Sequence, residues 1–371
     1  MTAIAITRTH GRRADLGMAA ERVLLGVGPI VGSLLLLAFQ FKIHAVAIDF
    51  HSAYYPAADR LLHGGNPYAV TRAEIQAGTA FVYPDLSALA FVPFALMGRG
   101  VGEIAYMLVC VACALGTLRA LQIRDWRLYG ITLMWLPVYS GWQTANLTLP
   151  LTLLVALSWR YRDRPVVAGL LTAAAISLKP FVWPLALWLL ATRRWRAAVW
   201  AITSGLILNL VAWGVVGFNE ISVYMRLSGQ VTDALWRGGY SMLAVAHHLG
   251  FDRGVGEFLL VIASVAVAST VLRSGWRGSE CQALTLAVAL MLVASPLVWS
   301  HYFALLLVPL ALGRPRLSPI WAAPLLMWAC PASIGVAGWQ AALAWAVAVV
   351  CLWLALRPTP SVRPEFDVGP G

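Results

Sequence analysis

Charge is what this chain has least of. Only 12% of its 371 residues are charged and 60% are hydrophobic, whereas a soluble domain carries about 25% charged residues. A water-soluble fold could not hide that much apolar surface. The ten-residue polar/apolar alternation of barrel strands is also missing, and lipid tolerates only helices or closed barrels as spanning structures. No glycine-rich phosphate loop, Asp-x-Asp signature or His/Cys metal constellation occurs, which argues against a cytosolic nucleotide-using domain and leaves no cofactor or metal expected. The five cysteines, Cys110, Cys113, Cys281, Cys330 and Cys351, all fall inside apolar runs and read as small packing residues, not redox or metal groups.

What the chain does have is long apolar runs. Those at 23–41, 101–121, 197–217, 255–272, 281–299 and 338–356 are each long enough to cross a hydrocarbon core of about 30 Å at 1.5 Å per helical residue. The expected fold is an all-α polytopic membrane protein, a single transmembrane domain over 1–371 with about twelve crossings. The further spans are at 128–141, 144–159, 165–178, 181–192, 300–312 and 318–333. The first apolar run follows Arg8, Arg12, Arg13 and Arg22 and, at 19 residues, exceeds a signal-peptide core of roughly 7–15, so it reads as an uncleaved first helix. No internal repeat is evident.

The net charge of +11 would suggest nucleic acid in a soluble chain. Here the arginines fall in short clusters between apolar runs and read as topology signals, so no nucleic-acid partner is expected. Threading from a cytoplasmic N-terminus puts the basic clusters at 8–22, 119–127, 160–164, 193–196, 273–277, 314–316 and 357–363 on the inner side, with both termini cytoplasmic. It requires 84–97 to dip in and return without crossing. Two long loops, 42–83 and 218–254, then lie on the outer face.

Three polar residues stand out at membrane boundaries on that face. Asp49, in Ala47-Ile48-Asp49-Phe50-His51, is costly to desolvate there and reads equally as a functional acid or as a cap for a helix over 52–62. Lys179, in Ser177-Leu178-Lys179-Pro180, is a cation where the positive-inside rule places none, although a lysine snorkelling from a helix end looks the same. His301, in Trp299-Ser300-His301-Tyr302, fits a site residue or an interfacial hydrogen-bonding one. The 218–254 loop adds Tyr224, Arg226, Arg237, Tyr240, His247 and His248. Asn66-Pro67-Tyr68 reads as a turn, and Asn146-Leu147-Thr148 matches a glycosylation sequon.

From about Asp49 to Tyr302 the chain resembles glycosyltransferase family 87, GT-C-class membrane enzymes that use polyprenyl-phosphate sugars. The matching pieces are Asp49-Phe50 with Tyr54 and Tyr55, Gly64-Gly65-Asn66-Pro67-Tyr68, Tyr83-Pro84, Gln143 with Asn146, Ala168-Gly169-Leu170 through Lys179-Pro180, Arg193-Arg194-Trp195, and Ser295-Pro296 with Trp299, His301 and Tyr302. Two positions depart from the family pattern: Asp85 stands where a second proline is usual, and Trp142 where glycine usually precedes the glutamine. Asp85 is then a second acid near the site or a loop residue.

The resemblance implies a GT-C-like bundle, Asp49 as catalytic base, and Lys179, His301, Arg226, Gln143, Asn146, Tyr83 and Tyr54 around the donor phosphate or sugar. It implies an inverting transfer, most readily of mannose, from a polyprenyl-phosphate donor to a lipid-linked glycan acceptor among the membrane lipids, on the outer face of the plasma membrane. Arabinofuranose is the alternative sugar. A lipid-linked sugar flippase or transporter and an inactive accessory subunit are the competing readings; the absence of a repeat and the gathering of Asp49, Lys179 and His301 on one face weigh against both.

Overall fold

The computed structural model describes residues 23–330 and 335–357. Among these residues every regular element is a helix. A π-helical turn at Val23–Val27 leads into α1 (Gly28–Lys42). A second π turn at Phe50–Tyr54 follows, then α2 (Tyr55–Leu62), α3 (Arg72–Ala77), α4 (Asp85–Leu96), α5 (Arg99–Ala120), α6 (Trp126–Met134), α7 (Leu136–Gln143) and α8 (Thr148–Arg160). The chain continues through α9 (Pro165–Leu178), α10 (Pro184–Ala191), α11 (Trp195–Val216), α12 (Glu220–Leu235), α13 (Met242–His248), α14 (Arg253–Trp276) and α15 (Glu280–Val293). A 3₁₀ stretch at Ser300–Leu306, α16 (Leu307–Gly313), a second 3₁₀ stretch at Pro319–Ala329 and α17 (Gly338–Leu356) complete it.

Among the described residues five helical segments are long and apolar enough to cross a membrane: Val23–Lys42, α5, α11, α14 and α17. Along α14, Val255, Phe258, Val261, Ile262 and Val265 point away from the protein, a contiguous apolar face that a soluble monomer would not leave in water. Among the described residues the other expected spans are shorter apolar helices of 10–17 residues or broken pieces. Proline is the physical cause at several breaks. The span expected at 128–141 divides at Trp135, next to Pro137 in the first turn of α7. That expected at 281–299 stops at Val293, ahead of Pro296, and of that at 318–333 the part Pro319–Ala329 is a 3₁₀ helix containing Pro324, while 331–333 lie outside the described residues. Both expected loops are largely helical, 42–83 holding α2 and α3 and 218–254 holding α12 and α13.

Small residues let the helices meet. At Gly169 an added Cβ would lie 2.7 Å from the Ala197 carbonyl oxygen, and at Gly275 2.6 Å from that of Ala191, so α9–α11 and α10–α14 cross with backbones nearly touching, as membrane helices do when dispersion drives their association.

Cross-links give the bundle two distinct ends. Arg160 Nη1 donates to the Ala120 carbonyl, Arg194 Nη1 to the Arg162 carbonyl and Nη2 to Glu280, and the Leu317 N–H bonds Asp125. The clusters at 119–127, 160–164, 193–196, 273–277 and 314–316 therefore gather at one end. The basic run at 8–22, and all of 357–363 but Arg357, lie outside the described residues. At the opposite end sit the loop before Phe50, α12 and the breaks after α9 and α15.

Candidate active site

The segment carrying Asp49 leaves α1 in a constrained path. His44 and Ala47 both take left-handed conformations, with φ of 55° and 48°, which non-glycine residues adopt only when surroundings hold them. The tether is the end of α7. The Ala47 N–H donates to the Gln143 carbonyl at 2.7 Å, the Gln143 side-chain amide donates to the Ala45 carbonyl, and the Asp49 N–H donates to the Thr144 carbonyl at 3.0 Å. Gln143 thus holds the loop by both its backbone and its side chain.

Asn146 completes the support. Its Oδ1 accepts from the Thr148 N–H at 2.9 Å and the Thr148 hydroxyl at 2.7 Å, which turns its Nδ2 toward the Asp49 carboxylate and the Tyr54 hydroxyl. An amide with both faces committed has one orientation. Asn146 is 1% exposed, so the sequon it begins is closed to glycosylation. Tyr54 in turn donates to the Tyr83 hydroxyl at 3.0 Å.

Lys179 reaches the same place from α9. Pro180 forbids a helical conformation to the residue before it, so the helix stops at Leu178 and Lys179 is extended, with φ −153° and ψ 107°. Its ammonium lies 4.2 Å from the ring centre of Tyr302, 5.0 Å from Tyr83 and 5.4 Å from Phe181. It is 8% exposed, and Nζ has no hydrogen-bond partner among the described residues. Burial pushes this ammonium down to about 7 and pushes the half-buried Asp49 carboxyl above its ordinary range, while mutual attraction opposes both shifts.

Asp49, Tyr83 and Lys179 line one cavity of ≈ 230 Å³, roofed by Tyr224, Ser228 and Thr232 of α12 and closed by Ser295, Leu297, Trp299 and Tyr302. The structure brings these distant parts of the sequence together. His301 is buried beside this wall, its ring 5.2 Å from that of Tyr302 and its Nε2 without a partner among the described residues.

Arg226 is not among the residues that line the cavity. The cavity face of α12 is set by Tyr224, Ser228, Val231 and Leu235, and a residue two positions after Tyr224 falls about 200° around the helix. Arg226 is accordingly exposed on the far side and cannot reach a donor phosphate here. Arg237 stacks on Trp236, His247 packs against the same ring, and Tyr240 is buried with its carbonyl accepting from Trp345. Asp85, at the start of α4, is buried outside the cavity and accepts from the Tyr68 hydroxyl at 2.6 Å, with the Tyr83 carbonyl oxygen 2.9 Å from the same hydroxyl. Among the described residues no group of three His, Cys, Asp or Glu could hold a metal ion.

Sequence reasoning missed the α12 contribution of Ser228 and Thr232, although their four-residue spacing from Tyr224 on an amphipathic helix was there to read.

The profile of glycosyltransferase family 87 matches residues 81–296. The chain belongs to glycosyltransferase family 87. Among characterised relatives, the polyprenol-phosphate-mannose-dependent alpha-(1-2)-phosphatidylinositol pentamannoside mannosyltransferase of Mycolicibacterium smegmatis is 28% identical over 83% of this chain and 74% of its own length. The enzyme of the same description from Mycobacterium tuberculosis is 26% identical over 76% of this chain and 65% of its own, so the present glycosyltransferase spans just under two thirds of that relative. No solved structure matches the chain. Membership makes it a sugar transferase, and the cavity is where that chemistry is to be sought.

Proposed function

We propose that this family 87 enzyme transfers mannose from a polyprenyl-phosphate donor to a lipid-linked mannoside, with inversion, on the outer face of the plasma membrane. The observation that carries the reading is the pairing, in one cavity, of the supported carboxylate of Asp49 with the caged and unpaired ammonium of Lys179. Asp49 attracts this ammonium, but its Nζ has no hydrogen-bond partner among the described residues, so the cage leaves its protons free for an anionic ligand, and a lipid phosphate is the anion at hand. The names of the relatives support the donor and the acceptor class. The gathering of the arginine clusters at the other end supports the face.

In the proposed step Asp49 takes the proton from an acceptor hydroxyl as its oxygen attacks the anomeric carbon. The new C–O bond forms on the face opposite the phosphate, and the old C–O bond breaks with its electron pair passing to the phosphate oxygen. Polyprenyl phosphate leaves as an anion that Lys179 stabilises, so no general acid is needed, unlike glycoside hydrolysis with its two carboxylates. A carboxyl pKa raised by burial makes Asp49 a better base once ionised. Arg226 has no part in this scheme.

The test is transfer of radiolabelled mannose from polyprenyl-phosphate-mannose to phosphatidylinositol mannoside acceptors by wild type and Asp49→Asn at matched expression. Asp49→Asn should lose about 10²–10⁴-fold in rate. Equal label from both would remove Asp49 from the chemistry, and label only from an arabinose donor would replace the sugar while keeping the mechanism.

A further inference from the structure

The proposed base is well supported on its N-terminal side, where Gln143, Thr144 and Asn146 hold it. Downstream the chain passes into the single π turn Phe50–Tyr54, a geometry rare in helices and frequent at functional sites. Phe50 anchors that turn by packing on Phe91 and Tyr106, contacts that are apolar and weakly directional. The first polar tether to another helix after Asp49 comes from His51, whose Nε2 lies 2.9 Å from Oε2 of Glu103.

Glu103 is out of place for packing. It sits in the second turn of α5, one of the long apolar helices, and is buried there; an acid taken out of water is costly and is kept only where it is paired. His51 Nδ1 is buried without a partner among the described residues, so Glu103 alone orients the imidazole. Neither residue is among those that line the cavity, so the pair sits behind Asp49, away from the space a substrate would fill.

We propose that His51 and Glu103 form a positioning clamp that fixes the turn behind Asp49 to α5 and so sets the direction of the Asp49 carboxylate toward the acceptor hydroxyl. The clamp rests on the reading of Asp49 as base. Its logic is that of catalytic carboxylates in general: a displacement of about 1 Å can reduce rate up to about 10²-fold without loss of binding.

The experiment uses full-length enzyme in lipid nanodiscs, with kcat and donor KM measured for polyprenyl-phosphate-mannose in His51→Ala, Glu103→Ala, Glu103→Gln, the double alanine variant and Asp49→Asn. Each single alanine variant should lower kcat about ten- to hundredfold with donor KM within about twofold of wild type. Glu103→Gln, which keeps shape and a hydrogen bond, should recover most of the loss. The double variant should be no worse than the poorer single one, because the two residues act as a unit. Losses that multiply, a rise in KM at unchanged kcat, or a fall in melting temperature at unchanged kcat would each overturn the clamp. Wild-type kcat in Glu103→Ala beside a dead Asp49→Asn removes the clamp alone, whereas normal turnover by Asp49→Asn removes the base and the clamp with it.

Discussion

The two ends of the bundle treat buried charge in opposite ways. At the arginine end Glu280 accepts from Arg194 at 2.8 Å and Arg162 at 3.1 Å, Arg194 also reaches Asp163 at 3.0 Å, and Arg162 stacks on Trp159. These charges satisfy one another and bind the 161–164, 192–194 and 277–279 turns into one unit. At the aromatic end Lys179 has rings around it and no partner for its protons among the described residues. Charges that hold a fold together arrive with their counter-ions, whereas a charge meant for a ligand is left open until the ligand comes.

Replacing Lys179 is the sharpest way to probe that difference. Lys179→Met should reduce transfer about 10²–10³-fold, through loss of leaving-group stabilisation, yet raise stability by roughly 1–4 kcal/mol, because it exchanges a buried ammonium that has no hydrogen-bond partner among the described residues for an apolar chain of similar length. Activity and thermal unfolding measured on the same preparation check it; a variant both inactive and less stable would place Lys179 among the structural charges. The pH dependence of stability adds a sign. Folded Lys179 holds its proton less tightly than the unfolded chain, with a pKa of about 7 against 10.5, so its contribution to stability improves as pH rises through that window. The difference between wild type and Lys179→Met should therefore shrink at high pH.

The same shift predicts an alkaline limb in kcat/KM for the donor, falling about tenfold per pH unit above about 7 as free enzyme loses the ammonium that meets the phosphate. Lys179→Arg keeps its charge at every relevant pH and should move the limb upward. An unchanged limb would assign it to another group.

Helical class, membrane character and family were legible in the sequence because composition and local motifs carry them. Asp49, Lys179 and His301 each stand at a junction of apolar runs that the threading put on one side, whereas Tyr54, Tyr83 and Asn146 were reached only through the family resemblance. What failed was what depends on helix phase and breakage. Proline cut several expected spans into short or 3₁₀ pieces. Arg226 was singled out by charge alone, although its position two residues from Tyr224 turned it away. Gln143 looked like a ligand contact because nothing local shows that its amide is needed by a strained loop some 98 residues upstream. Long-range hydrogen bonds of that kind have no signature in one sequence.

At the paired end the expected effects are structural. Glu280→Gln removes the negative charge and one of the two oxygens that accept from Arg162 and Arg194, whose side chains are largely buried while Glu280 itself is about a third exposed. Full burial would make the loss larger, so solvent screening sets it at about 1–2 kcal/mol. Thermal unfolding should register it while kcat and KM of the folded fraction stay as in wild type. A selective fall in kcat would instead show that the arginine end communicates with the cavity and would undo the separation of the two ends.

The smallest expected effect tests the geometry of α12. Arg226 and Ser228 differ by two positions and lie on opposite faces, one in solvent and one on the cavity. Arg226→Ala should leave donor KM and kcat within about twofold of wild type, since an exposed charge without a partner contributes little. Ser228→Leu should raise donor or acceptor KM, because it fills a cavity of only ≈ 230 Å³. If Arg226→Ala behaved like Lys179→Met, α12 would have to rotate by about half a turn when substrate binds, and the open cation of the resting cavity would then be one of a pair that closes on the phosphate.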